Sequence, residues 1–359
     1  MHLHFSRRLV FVSLLLAALT SLGASARNLD GTLAMIVRPI STLPTIVQAG
    51  DAFEVTIVAG QPVEEMRVAL YRGPDDTIVF THSRQEPPLQ PQDGSITVEA
   101  VVPQDMAPGL YDMLVTTRPD RRRDTAERAV KVVAQWPQSY VFAHVTDVHI
   151  GREDPPLRDQ VFKRTIAEIN PMGVDFVLIS GDDTDRATPE QYRDLLQPLD
   201  GCEVPTFLSP GNHDRAEGEQ PGAAGNIYER YCGPGNYAFD FGSHRYLCLD
   251  TSWGWEYLNL PANRTWLEQQ LERPKPSMGV AFSHRFSDKE FPYFQEQLPA
   301  NNYRLCVYGH THDDGMQWIG PKRLMLLNTS EELMGTYNIV TISGDQVFAI
   351  DHVQRKCAD

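Results

Sequence analysis

Five apolar runs in the latter part of this chain end in the same way. "VFAHVTDVHIG" runs into Asp147 and His149, "VDFVLISGDDTDR" into Asp182, Asp183 and Asp185, and "VPTFLSPGNHDR" into Asn212, His213 and Asp214. "MGVAFSHR" reaches His284, and "RLCVYGHTHDD" reaches His310 and His312. Each run has the short, bounded character of a buried strand, and each stops at a Gly, Asp or His. An open α/β sheet gathers the carboxyl ends of its strands into one crevice, so these residues are expected to meet.

The segments between the runs fit that reading. Residues 156 to 169 place Leu157, Val161, Phe162, Ile166 and Ile169 on one helical face. "TPEQYRDLLQPL" offers Thr188 as N-cap, Pro189 at N1 and Gln191 at N3. "NRTWLEQQLE" reads as a helix, and "NYAFDFG", "RYLCLDTS", "KRLMLLNTS" and "YNIVTISG" as further strands. Alternating helices and strands followed by consecutive strands predict an α/β sandwich with mixed sheets.

Upstream the texture differs. "AFEVTIV", "MRVALY", "SITVEAVV", "GLYDMLVTT" and "ERAVKVVAQ" alternate apolar and polar residues between Gly, Pro and Asp turns. They predict an all-β, immunoglobulin-like sandwich over residues 27–137, with "WPQSY" at the boundary and the α/β domain over 138–359. "RPDRRRDTAER" is expected to be a solvated hairpin tip. This domain holds no catalytic constellation and reads as a packing domain or a partner-binding module.

Residues 1–26 read as a leader rather than as fold. A basic start, the apolar run "LVFVSLLLAALTSLG" and Ala24-Ser25-Ala26 predict a secretory signal cleaved after Ala26. "SRRLVF" leaves twin-arginine export as the alternative route. No other run is long enough for a membrane span. Loss of Arg7 and Arg8 from the 32 basic residues leaves 30 against 47 acidic, a charge of −17. Such a balance excludes a nucleic-acid duplex or an anionic membrane as the main partner. Small phosphorylated substrates stay open, because a metal inverts the local field.

Five cysteines are too few for a disulfide framework. Cys248 and Cys306 are expected as buried thiols, and Cys202 with Cys232 is the pair that exported conditions would allow.

Five of the nine histidines after residue 26 fall at the five strand ends. Asp-x-His and His-x-His in extended chain put both side chains on one side. Carboxylates mixed with imidazoles suit Zn, Mn, Fe or Ni rather than Ca or Mg alone. A lone histidine after a strand is ordinarily just hydrogen-bonded, and Asp183 reads as a solvated side chain. All five segments together, in this order, point to a metal site.

The ordered series Asp-x-His, Gly-Asp-x-x-Asp, Gly-Asn-His-Asp, a lone His and Gly-His-x-His resembles that of the calcineurin-like metallophosphoesterases. The resemblance covers roughly residues 140 to 350. It implies a four-layer α/β/β/α sandwich with two divalent transition-metal ions (Mn, Fe, Zn or Ni). One would be held by Asp147, His149, Asp182 and His312, the other by Asp182, Asn212, His284 and His310. His213 would face the substrate, oriented by Asp185. The implied reaction is hydrolysis of a phosphomonoester or phosphodiester by a metal-bridging hydroxide. Purple acid phosphatases resemble Asp-x-Gly and Gly-Asp-x-x-Tyr instead, and here those positions are His149 and Asp185. "SHRF" departs from the many relatives with a Pro nearby.

Arg186 and Arg215 follow two of the motifs and are candidate phosphate ligands, with surface solvation as the alternative. Trp253 and Trp255, with Tyr257, are candidate stacking platforms for a base or sugar, with core packing as the alternative. The competing function is a non-catalytic binding or adhesion protein that uses the α/β domain as a scaffold.

Overall fold

The structure is a computed structural model. It describes residues 27–354, apart from 74–76, 154–156, 222, 224, 259, 287–291, 321–322 and 330–335. The proposed leader over 1–26 and Cys357 therefore lie outside the described residues.

Eight strands come first: β1 (Ile36–Arg38), β2 (Thr45–Gln48), β3 (Ala52–Val58), β4 (Val63–Tyr71), β5 (Thr77–Leu89), β6 (Ser95–Val101), β7 (Gly109–Arg118) and β8 (Arg123–Val133). They form two sheets, in the orders β1-β3-β6 and β2-β8-β7-β4-β5. Alternation is the cause: Phe53, Val55 and Ile57 of β3 are buried, as are Tyr111, Met113 and Val115 of β7. The charge-dense hairpin is only partly a solvated tip. β8 begins at Arg123, and buried Asp124 accepts from the Met35 and Ile36 amides at 2.7 and 2.8 Å. A carboxylate that satisfies two backbone donors belongs inside, whatever the charge around it in sequence.

The remainder begins with β9 (Ser139–Val145), α1 (Arg158–Ile169), β10 (Phe176–Ser180), α2 (Pro189–Asp200), β11 (Thr206–Ser209) and α3 (Ile227–Cys232). Next come β12 (Tyr237–Phe241), β13 (His244–Cys248), α4 (Trp255–Leu258), α5 (Pro261–Glu272), β14 (Met278–Phe282) and α6 (Pro292–Ala300). The last strands are β15 (Tyr303–Tyr308), β16 (Gly315–Ile319), β17 (Leu324–Asn328), β18 (Tyr337–Ser343) and β19 (Gln346–Val353). One sheet has the order β11-β10-β9-β18-β19 and the other β12-β13-β14-β15-β17-β16. β9, β10 and β11 are parallel neighbours, as are β13, β14, β15 and β17, so the motif-bearing ends point the same way within each sheet. β16 lies on a sheet edge with four of its five residues exposed, the apolar Met316 and Trp318 among them.

Helices cover both outer faces. Phe162 and Ile166 of α1, Leu195 of α2 and Tyr228 of α3 pack on one sheet, and Leu267 of α5 and Leu298 of α6 on the other. Between the sheets the core is aromatic, with Phe207 stacked on Phe239 at 3.7 Å and Phe239 on Tyr246 at 4.8 Å. These layers form the α/β/β/α sandwich. At the start of α2 the Thr188 hydroxyl accepts from the Gln191 amide at 3.3 Å.

The N-terminal strands share that core. One apolar cluster runs from Val55, Val115 and Val130 to Phe142, Phe176 and Phe239. A segment between β1 and β2 lies along β11: Leu208 N donates to Thr42 O at 3.3 Å, and Thr206 Oγ1 to Ser41 O at 2.9 Å. It covers a sheet edge that would otherwise present unpaired amides. Cys202 and Cys232 do not pair. Both are buried free thiols, and Cys232 closes α3 within the apolar layer. Cys248 and Cys306 are buried thiols too.

Candidate metal centre

The five strand ends converge. The loops after β9 and β10 zip together through Asp147 N to Gly181 O at 3.0 Å, His149 N to Asp182 O at 2.8 Å and Ile150 N to Asp183 O at 3.0 Å. The side chains reach one place by an unexpected backbone route. Asp147, His149, Asp182, His310 and His312 all have positive φ, between 51° and 73°, rather than extended backbone. Left-handed non-glycine residues are costly and persist where the surroundings overdetermine them. Here the loop-to-loop amide bonds do so. Gly181, with φ 90°, has no alternative, since a Cβ there would lie 2.6 Å from that of His284.

Asp214 holds two of the loops in register. Its buried carboxylate accepts from Gly211 N at 2.8 Å, Asp183 N at 3.0 Å, and Thr184 N and Oγ1 at 2.8 and 2.9 Å. This bracing role is not visible in the motif itself. Its only trace there is the acid that ends Gly-Asn-His-Asp, whose length suits it to loop amides.

Around the convergence point, His284 Nε2 lies 3.1 Å from Asp182 Oδ2, and His312 Nε2 lies 3.2 Å from Asp147 Oδ1. His149 Nε2 stands 3.9 Å from Asp147 Oδ1 and 3.8 Å from Asp182 Oδ2. Three donor groupings can each close on one ion: Asp147, His149 and His312; His149, Asp182 and His213; and Asp182, His284 and His310. Asn212 joins the last side, its Oδ1 accepting from Arg285 Nη2 at 2.8 Å.

The donor set fits divalent cations. Neither ring nitrogen of His149, nor Nε2 of His284, has a hydrogen-bond partner among the described residues, although all are buried. Buried polar atoms are ordinarily satisfied, so these lone pairs are held for something else. His284 Nδ1 donates to Ser180 O at 3.0 Å, which leaves Nε2 with the lone pair a metal needs. Burial alone would lower the His284 pKa, but Asp182 and Asp147 overcome it and hold it at about 9. Without metal, a proton on His284 is the positive charge these two carboxylates recruit.

Other side chains depart from expectation. The Asp185 carboxylate does not hold His213; its backbone carbonyl does, 2.7 Å from His213 Nδ1. A carbonyl only accepts, so Nδ1 carries the proton and Nε2 is left facing the site. The Asp185 carboxylate lies 3.4 Å from Arg186 Nε instead. Asp183 is not solvated. It is fully buried, neither carboxylate oxygen has a partner among the described residues, and burial reinforced by Asp214 and Asp182 pushes its pKa well up.

Arg215 is not free for phosphate. It is buried against Asp250, donates to Asn226 Oδ1 at 2.6 Å and Ser252 Oγ at 2.8 Å, and lies between Tyr228 and Trp253. Trp253 thus packs on Arg215, 5.5 Å from ring centroid to guanidinium carbon, and Tyr257 is buried. The Trp255 side chain lies outside the described ones. Arg186 remains 73% exposed beside the site. Arg285, which sequence reading passed over, enters the site next to Asn212. The "SHRF" departure was its only signal.

Residues 140–314 match the family model of the calcineurin-like phosphoesterases. Over that segment the chain is similar to that family. The match supports a metal-dependent phosphoester hydrolase. Among curated proteins it is 35% identical over 83 residues to a 3′,5′-cyclic-nucleotide phosphodiesterase of Nostoc sp., covering 21% of this chain and 30% of that one. It is 25% identical over 190 residues to a probable cyclic nucleotide phosphodiesterase of Fibrobacter succinogenes, covering 47% of this chain and 72% of that one. Two solved structures share the fold with a TM-score of 0.50 each. One is a purple acid phosphatase from yellow lupin, 14% identical, covering 86% of this chain and 72% of its own. The other is PhoD, 10% identical, covering 92% and 90%. No described helix is long and apolar enough to cross a membrane.

Proposed function

We propose that the phosphoester hydrolase is an exported two-metal enzyme acting on small phosphodiesters of the nucleotide type. The observation that carries the two-metal reading is the set of buried imidazole nitrogens turned toward Asp147 and Asp182, of which both ring nitrogens of His149 have no hydrogen-bond partner among the described residues. Asp147, His149, Asp182 and His312 would hold one ion, and Asp182, Asn212, His284 and His310 the other, with Asp182 between them. Bound there, the ions supply Lewis acidity toward phosphoryl oxygens and a water acidified to near neutrality.

The protein's own part is orientation and proton handling. Nδ1–H of His284 on Ser180 O fixes which nitrogen it presents, and the His310 amide on Asp147 Oδ2 at 3.0 Å fixes that carboxylate. His213, anchored through Nδ1–H on Asp185 O, presents Nε2, which in the imidazolium form would give its proton to the leaving oxygen and leave the neutral ring still bonded to Asp185 O. The diester preference draws support from the two curated relatives, both named as cyclic nucleotide phosphodiesterases. Export rests on the leader-like residues 1–26, and the division into a sandwich over 27–137 and a catalytic domain over 138–359 rests on the change of texture at "WPQSY".

The deciding experiment combines elemental analysis with a substrate panel. The expected result is two equivalents of transition metal per chain, and turnover of bis-nitrophenyl phosphate and a cyclic nucleotide above nitrophenyl phosphate. A chain without metal overturns the two-metal reading, and faster monoester turnover overturns the diester preference. Mass measurement of the exported protein tests cleavage after Ala26.

A further inference from the structure

The loop after β14 carries, beside His284, a guanidinium that holds no metal. Arg285 is half-buried, and its backbone is clamped on both sides. Its amide donates to Thr251 Oγ1 at 2.8 Å, and its carbonyl accepts from Ser283 Oγ at 2.9 Å. The next residue, Phe286, is buried in the outer apolar layer, which fixes the turn. The side chain is thereby aimed inward. Nη2 donates to Asn212 Oδ1 at 2.8 Å, and the positive charge lies close enough to His310 to help burial and His284 lower that imidazole's pKa to about 4.

Its second nitrogen is the informative one. Nε is buried and has no acceptor among the described residues. Nε and Nη2 share one edge of the guanidinium plane, the edge that pairs side-on with two oxygens of a phosphoryl group. The neighbouring arginines differ. Arg215 spends its donors on Asp250, Asn226 and Ser252, and Arg186 pairs with Asp185 from an exposed position. Arg285 combines a place at the candidate centre, a rigid mount and an unspent buried donor.

We propose that Arg285 is a substrate-binding residue that donates Nε–H and Nη2–H to the non-bridging oxygens of the phosphoryl group, beside Asn212. The inference rests on the two-metal reading. In it, Asn212 Oδ1 would turn to its ion, which leaves the guanidinium edge to the phosphoryl oxygens.

The test uses the metal-loaded full chain, with inorganic phosphate as the probe. Metal content, phosphate affinity by calorimetry, and KM and kcat for bis-nitrophenyl phosphate are measured for wild type, Arg285→Ala and Arg285→Lys. Arg285→Ala is expected to keep its metal and to bind phosphate roughly 10- to 100-fold more weakly, the worth of a charge-assisted hydrogen bond. Arg285→Lys should fall between, because an ammonium lacks the two-nitrogen edge. Unchanged phosphate affinity in a metal-loaded Arg285→Ala overturns the inference. So does parallel loss of metal, which would make Arg285 a support for Asn212. If the alanine variant does not fold, Arg285→Gln is read in the same way. Absence of metal from wild type would instead overturn the two-metal reading itself, so the two failures are distinguishable.

Discussion

At the end of the α/β sandwich remote from the motifs, Tyr140 Oη lies 2.8 Å from His244 Nδ1 and 2.6 Å from Tyr246 Oη. Asp345 stands 3.7 Å from the other ring nitrogen of His244. At the motif end, His149 and His284 are buried as deeply, yet among the described residues their inward nitrogens face only the carboxylates of Asp147 and Asp182 and close no hydrogen bond. The same pair of sheets thus closes one polar network and leaves the other open. Open buried networks are costly, so an end that keeps one is built around a ligand. Backbone conformation draws the same contrast. Five motif residues have left-handed φ, whereas none of Tyr140, His244, Tyr246 and Asp345 does.

Asp182→Asn removes the charge shared by both candidate ion sites, and turnover should fall on the order of 10³-fold with loss of bound metal. Retention of both metals in that variant would separate Asp182 from the open end. His213→Ala should keep its metals and lose about 10²- to 10⁴-fold in kcat, since only the proton path is removed. An unchanged rate on the preferred ester would show that Nε2 of His213 is idle.

Asp214→Asn sharpens the distinction between ligands and the loops that carry them. It replaces an acceptor of four donors with a side chain that can satisfy fewer, and metal affinity should drop about 10- to 100-fold while the fold persists. Metal titration against circular dichroism measures both. Tyr140→Phe acts at the closed end. It strands His244 and Tyr246, and should cost about 1–3 kcal/mol of stability in denaturant titration with metal content and turnover unchanged. A change in turnover would mean the two ends are coupled.

The main strands of the α/β sandwich and the identities of the converging residues were legible because both are written in local pattern. Buried strands announce themselves by composition, and a series of Asp, Asn and His at their ends survives any detail of packing. The edge strand β16 was not legible, since five residues with a Gly at the start are too short a run to stand out and their apolar side chains are exposed rather than buried. The role of Asp185 was misread for a different reason. Its carbonyl and its carboxylate are the same residue in sequence, and only the loop's path decides which one meets His213.

By itself the sequence determined which residue types stand at the strand ends, and hence the metal chemistry available to them. Tertiary structure alone decided how the three acids of "SGDDTDR" divide. Asp182 faces the centre, Asp185 offers its carbonyl and pairs its carboxylate with Arg186, and Asp183 is fully buried, where desolvation and the neighbouring acids raise its pKa. It likewise separated Arg215, held by Asp250, from Arg285, which keeps a donor unspent. Neighbouring residues of one type are equivalent to a pattern. Burial and partners, which come from segments distant along the chain, make them different.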